Sequence, residues 1–465
     1  MSEQTNHRGL AWTAAIAFFM LLLDSTILNT ALPAISASLN ESPLEMQLAV
    51  ISYALSVATF IPLSGWLADR LGTLTLFRFS TLLFALGSIA CALSDSLAML
   101  VLARIIQGIG GAFMMPVARL SILRIVPKSQ LVPTWNLIAM AGLIGPVTGP
   151  IVGGWLVTNA SWHWIFWINV PISLLGIWAA GKFMPNVKGE KTRLDIVGFL
   201  LLAFGLVAFT YGLERLANNL QKTDTALGIL SVGIVATIAY VIYARKISDP
   251  LFPLSLFHIR TFRIGLTANL LFRLVTFSVP FLLPIMLQVS FHYSAEAAGW
   301  MLAPMAISSI LAKPITARIL NRFGYKKTLL LASAITGVST ASFGLLDLTT
   351  SFGILVIAIM FYGAITSLMF TSINTLCVGD LEQETASTGS TMLSMVQQIG
   401  SGIGVAVAAV LLSVFRLQIG ENTSIQLQQA FGYTFFSTAI CCLLLVWTVS
   451  RLHDTDGENL KQRKE

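Results

Sequence analysis

The chain has 465 residues, 55% of them apolar and only 11% charged, with a formal net charge of +7 and a mean hydropathy of +0.80. Soluble domains carry about 25% charged residues, so a chain this long and this poor in charge cannot cover its surface in water. Nor does the positive balance imply nucleic acid, because the basic residues sit in short connectors rather than on one face or in an arm.

In lipid every backbone amide must be paired within the protein, which leaves helices or a closed barrel. The apolar stretches run about 20 residues rather than alternating over about 10, which selects an all-α polytopic membrane protein. Read in chain order with a window of about 19 residues, the sequence predicts fourteen spans. They start near Ala11, Met46, Phe77, Leu97, Trp135, His163, Ile196, Thr225, Ile264, Glu296, Thr328, Phe352, Ser390 and Gly432. The first, Ala11 to Leu32, is longer than the apolar core of a signal peptide and contains Asp24, so it reads as an uncleaved span. Cys91, Cys377, Cys441 and Cys442 show no C-x-x-C spacing and read as small core residues, not a disulfide frame or a metal site.

With a cytoplasmic N-terminus, 22 of the 28 Lys and Arg residues fall in inside segments, Arg119, Arg124 and Lys128 among them. The outside segments hold only Arg215, Lys222 and Arg416, while Arg104, Arg273 and Lys313 fall within spans. This positive-inside asymmetry places both termini in the cytoplasm, and one missed span would destroy it. The chain also repeats. Gly65-Trp66-Leu67-Ala68-Asp69-Arg70-Leu71-Gly72 after the second span returns 252 residues later as Ala317-Arg318-Ile319-Leu320-Asn321-Arg322-Phe323-Gly324 after the tenth. Two six-helix bundles, 11–184 and 264–450, joined by an extra pair of spans at 196–244, put both copies in equivalent cytoplasmic loops. Repeated halves around a midplane site are a transporter architecture.

Six motifs carry a family resemblance. Gly65-x3-Asp69-Arg70-x-Gly72 resembles the signature loop of the major facilitator superfamily. Arg104-x-x-Gln107-Gly108-x-Gly110-Gly111 is similar to its fourth-helix motif, and Gly145-Pro146-x-x-Gly149-Pro150-x-x-Gly153-Gly154 to the fifth-helix motif typical of antiporters. The segments beginning at Leu23-Asp24, Trp162-His163-Trp164 and Pro250-Leu251-x-Pro253 narrow the resemblance to the fourteen-span drug:proton antiporters of the QacA/EmrB type. The first seventy residues are most similar to the MdtD-type transporters of bacteria. Two departures stand out. Thr73-Leu74-Thr75 stands where many relatives are basic, and His163 where relatives usually have Arg.

Asp24 lies about 12 residues into the first span, roughly 18 Å along its axis. A carboxylate at that depth is costly unless protonated, paired or facing water. Burial favours its neutral form and a nearby cation its charged form, so its state depends on where the cavity opens. It reads either as a proton-coupling carboxylate, which the resemblance adds to, or as a packing Asp bonded to a neighbour such as Thr26. Arg104, inside the fourth span, must face a cavity or an acidic partner such as Asp24. It reads as a cation tuning the proton site or as half of a structural ion pair.

Asp69 and Arg70 read from spacing alone as a solvated turn closed by Gly72. The resemblance implies instead a conformational latch between halves, with the acid near a helix N-terminus, the Arg in a salt bridge, and Arg322 and Gly324 as the second copy. Gly145, Gly149 and Gly153 recur every four residues and leave a smooth face for close helix packing, with Gly154 beside it and Pro146 and Pro150 bending the helix. The resemblance makes this a tight exporter seam.

Asn29, Arg273, Gln397 and Gln398 are possible cavity contacts, and Lys313 either lines the cavity or snorkels to the inner boundary. His163 belongs to the outer interface beside Trp162 and Trp164. No G-x-x-x-x-G-K-[ST] loop, zinc constellation or catalytic triad occurs in the sequence. No enzyme activity and no cofactor are therefore expected, and energy must come from an ion gradient, protons by resemblance. The expected partners are the lipid bilayer, protons and an amphipathic small molecule, with no nucleic acid. Some relatives use a periplasmic adaptor, but nothing in this chain specifies one. The leading expectation is a proton-coupled exporter of drug-like compounds in a bacterial inner membrane. The rivals are an exporter of one metabolite or peptide, or a transport-silent membrane regulator.

Overall fold

The computed structural model describes residues 2–41, 46–190, 193–218, 223–247, 250–293, 295–382, 384–420 and 423–460; the side chains of Asn29, Pro146 and Pro150 lie outside the described set. The first part of the chain forms α1 (Ser2–Leu39), α2 (Gln47–Phe60), α3 (Ser64–Leu71), α4 (Thr73–Ala92), α5 (Leu97–Ile125), α6 (Leu131–Asn159), α7 (Trp164–Trp167) and α8 (Asn169–Phe183). Then come α9 (Ile196–Asn218) and α10 (Thr223–Ala244). The last part forms α11 (Arg260–Val289), α12 (Ala295–Trp300), α13 (Ala303–Ser342), α14 (Phe352–Gly379), α15 (Ala386–Ile419) and α16 (Ser424–Ser450).

Among the described residues twelve helices are long and apolar enough to cross a membrane. One of them, Ala303–Leu345, covers 43 residues, about twice what a bilayer needs. It holds the expected tenth and eleventh spans as one helix bent at Gly324, whose φ of 77° and ψ of 170° interrupt the helical ladder. α6, the expected fifth span, is a further helix of 29 residues. The first helix begins at Ser2 rather than Ala11, because polar residues at its start extend the backbone ladder without extending the apolar stretch.

Helix starts follow side-chain chemistry where a cap exists. Ser96 accepts from the Met99 amide and Thr423 from the Gln426 amide, each satisfying an orphan donor of the first turn. Large apolar side chains such as Leu331, Val338, Ile357 and Leu443 point outward and are more than 60% exposed. In water such a belt would drive association, whereas against lipid tails it is the expected solvent face.

α1 packs against α6, α8 and α5, and α4 against α5 and α8; α11 packs against α14, α15 and α16, and α13 against α14 and α16. α9 and α10 pack on each other, and α9 also touches α2 from one half and α15 from the other. The repeat is visible in the backbone. Gly72 and Gly324 both adopt positive φ, 95° and 77°, at the breaks between α3 and α4 and within α13. After α8 the chain returns along the first break, where Thr73 bonds the carbonyls of Pro185 and Val187. After α16 it returns along the second, with Gly457 against Tyr325 and Asp454 paired to Lys326.

Among the described residues every hydrogen bond between the halves lies toward the end carrying Asp69. Ser64 meets Thr391 at 2.9 Å, Ser390 donates to the Pro116 carbonyl at 2.9 Å, and Asn136 bonds both the Lys313 carbonyl and the Thr371 hydroxyl. The halves are therefore hydrogen-bonded toward that end, while α6 also packs on α12, α13 and α14.

Candidate functional site

Asp24 and Arg104 come together inside the first half. Each is 1% exposed, and Arg104 Nη1 donates to Asp24 Oδ2 at 2.7 Å. The other carboxylate oxygen accepts from Gln107 Nε2 and from Asn169 Nδ2, both at 2.8 Å. Arg104 also donates to the Gln107 side-chain oxygen at 2.6 Å and the Ala49 carbonyl at 3.2 Å, and lies over the Tyr53 ring at 4.2 Å. Ser88 closes the network through Gln107 and Asn169. Side chains of α5 and α8 thus meet on the carboxylate of α1, α4 supports them through Ser88, and α2 supplies Tyr53. Thr26, the neighbour weighed for Asp24, instead returns its hydroxyl to the Leu22 carbonyl. Chemically the site is a charge pair saturated by neutral donors. A proton on Asp24 would turn one acceptor oxygen into a donor and release Arg104 from its counter-charge.

The α6 glycines pack on α1 beside this pair. A Cβ at Gly145 would lie 3.0 Å from the Leu23 amide nitrogen, and one at Gly149 would lie 3.0 Å from Thr26 Cβ and 3.2 Å from the Ile27 nitrogen. Gly153 is buried, while a Cβ at Gly154 would meet nothing within 4 Å. The motif therefore divides: Gly145 and Gly149 face the α1 backbone and Gly154 faces open space. Pro146 and Pro150 have no described side chains.

At the joined end Asp69 holds two partners. Arg124 Nη2 pairs with its Oδ1, and Ser387, the second residue of α15, donates to its Oδ2 at 2.6 Å. The acid thus sits at the positive N-terminal end of a helix from the other half. Gly65 permits the approach, since a Cβ there would lie 3.1 Å from the Ser387 carbonyl oxygen. The salt-bridging arginine is Arg124, not Arg70. Arg70 is exposed and lies over the Trp66 ring, because the last turn of α3 turns it outward while Asp69 faces α5. In the second copy Arg322 is exposed over Phe323 and Gly324 is buried.

Of the second-half candidates, Arg273 is half-buried and donates to Ser401 at 3.1 Å, and Gln397 bonds Asn374 at 2.6 Å. Gln398 is half-buried beside them, and the Asn29 side chain lies outside the described residues. Lys313 does not snorkel. It is 2% exposed, with its ammonium on the Ser367 carbonyl and the Thr371 hydroxyl, because α14 covers it. Arg119 does not lie in a basic connector. It sits inside α5 at 1% exposure and donates across the halves to the Ser390 carbonyl, Ser394 and Gln397. The apolar residues Leu120, Ile122, Leu123 and Ile125 beyond Arg119 were the available signal. His163 stacks on Trp162 with ring centres 3.7 Å apart, and that burial holds its imidazole below the usual histidine range.

The Major Facilitator Superfamily profile matches residues 14–405 and 265–465, and this chain belongs to that family. It is a multi-pass membrane transporter rather than an enzyme. It is 52% identical over 461 residues to the "Probable transport protein HsrA" of Haemophilus influenzae, covering 99% of both chains. It is 39% identical over 465 residues to the "Putative multidrug resistance protein MdtD" of Pectobacterium atrosepticum, covering 100% of both. Among solved structures, the proton:xylose symporter XylE superposes with a TM-score of 0.69 over 98% of this chain and 99% of the other, at 14% identity, which establishes a shared fold.

Proposed function

We propose that this major facilitator chain is a proton-coupled antiporter that exports amphipathic, drug-like compounds across a bacterial inner membrane by alternating access. The observation that carries the reading is the Asp24–Arg104 pair, an ionisable couple sealed inside the first bundle. It lies on the same helix, α1, that the α6 glycines approach most closely. A movement of α1 against α6 would change the surroundings of the carboxylate, which couples protonation to the seam. Kinship to chains named for multidrug resistance supports the cargo class.

In this reading fourteen spans divide into rocking bundles at 11–184 and 264–450, with 196–244 as the extra pair. Both termini are cytoplasmic, as the basic connectors argue; removing Arg119 from that tally leaves the asymmetry intact. The end joined by Asp69 and Ser387 is then the cytoplasmic one. No cofactor is needed. Each proton returning through about 100 mV supplies roughly 2.3 kcal/mol, enough for about a 50-fold cargo gradient. Reconstitution in liposomes tests the proposal: an imposed pH gradient should drive a fluorescent amphipathic dye uphill, and a protonophore should stop it. Dye movement that ignores the pH gradient would remove proton coupling, and no movement with any cargo panel would favour the transport-silent reading.

A further inference from the structure

Three cations gather where the halves meet, and among the described residues none is held by a carboxylate. Arg119 of α5 donates to neutral acceptors of α15 and lies over the Trp135 ring at 5.4 Å, with its Nε unpartnered. Arg273 of α11 donates to Ser401, and its Nε is likewise unpartnered. Lys313 of α13 has one carbonyl and one hydroxyl. Arg273 and Lys313 approach the same ring, Phe370, each 5.8 Å from its centre. Gln397 ties Arg119 to Asn374, one turn beyond Phe370 on α14. The ion pairs among the described residues all lie elsewhere, at Asp24, Asp69, Asp454 and Asp456.

Charges inside a membrane protein are costly and are ordinarily paired or face water. Neutral hydrogen bonds satisfy the donors but leave the charge uncompensated. An amphipathic cation entering here would add a fourth positive charge. The one deep carboxylate of the first bundle is unavailable to it, since Arg104, Gln107 and Asn169 already occupy the oxygens of Asp24.

We propose that Arg119, Arg273 and Lys313 form an anion site on the transport path, and that the cargo is an amphipathic anion, a sulfonate or carboxylate carried on an apolar or aromatic body. The acidic group supplies the missing counter-charge, and Gln397 and Ser401 supply neutral hydrogen bonds. Phe370 and Phe277, both of which Arg273 overlies, supply the faces for the body. This deepens the exporter reading and rests on it for the direction of transport.

The test uses the full chain in nonionic detergent, with the thermal unfolding midpoint followed as anilinonaphthalene sulfonate or tetraphenylphosphonium is added. The sulfonate should raise the midpoint saturably and the phosphonium should not. Arg273→Gln and Lys313→Gln should each weaken the sulfonate about tenfold or more, and Arg273→Lys should retain most of the affinity. Should the glutamine variants fail to fold, competition on the unaltered protein decides. Naphthalene sulfonate should displace the dye and the neutral naphthalene sulfonamide should not. Phosphonium binding equal to the sulfonate, unchanged sulfonate affinity in both glutamine variants, or equal displacement by the sulfonamide overturns the anion site. Flux in liposomes separates this from the exporter reading. Sulfonate binding without gradient-driven flux removes the export direction and leaves the site. Gradient-driven phosphonium export without sulfonate binding removes the site and leaves the export.

Discussion

Asp69 of the first half and Ser387 of the second share a hydrogen bond of 2.6 Å, and the same carboxylate is paired with Arg124. One acid thus couples the integrity of its own bundle to the closure of the two bundles on each other. An alternating-access cycle has to break the inter-half bond each turn while the intra-half pair persists.

Ser387→Ala should therefore change cycling and little else. It removes one bond between halves, worth about 1.5–3 kcal/mol when an ionised group accepts it. The joined state should lose population, with the turnover rate altered several-fold and equilibrium cargo binding within a few-fold. Asp69→Asn should slow transport more, because it also unpairs Arg124. A large loss of cargo affinity with normal turnover in either variant would refute the latch.

The seam predicts opposite outcomes for two glycines of α6 that lie five residues apart, Gly149 and Gly154. Gly149→Leu should impair transport, since any side chain there enters the α1 backbone at Thr26 and Ile27. Gly154→Leu should insert and transport normally, because the space around it is empty. Rates of dye flux per inserted protein check both, and wild-type flux in Gly149→Leu would show that α1 can move aside.

The broken helix at Gly324 should tolerate little. Its φ of 77° and ψ of 170° lie in a region open essentially to glycine alone, which costs any other residue about 1–3 kcal/mol. Gly324→Ala and Gly324→Asn should both lower the thermal midpoint in detergent, because the ψ of 170° lies outside the left-handed helical region that asparagine tolerates. Equal stability of all three proteins would mean that the bend relaxes.

Asp24→Asn discriminates coupling from structure. Removing one partner of a buried ion pair costs about 3–5 kcal/mol, because the other charge is left uncompensated. The single variant should be destabilised, and Asp24→Asn combined with Arg104→Gln should recover much of the loss. If Asp24 carries the proton, the stable double variant should still fail to drive cargo uphill under a pH gradient. Gradient-driven transport at the normal rate in that double variant would reduce the pair to a structural brace.

The sequence alone determined the lipid environment, the helical class, the two copies of the signature loop and the depth of Asp24 and Arg104. Each of these follows from hydropathy along the chain or from spacing, which are local properties. What it could not determine was which side chains meet. Arg124 rather than Arg70 pairs with Asp69, 55 residues away, because α3 and α5 present those two faces to each other. Gln107 and Asn169 complete the Asp24 site from α5 and α8, 83 and 145 residues away. Arg119, which reasoning from connectors sends to water, is buried against α15, and Lys313, placed within a span either to line the cavity or to snorkel, is buried by α14. In an apolar chain nearly every helix face is hydrophobic, so periodicity does not say which face turns to lipid and which to protein. That choice is made by the packing of whole helices, and it decided which of the 28 basic residues became part of a site.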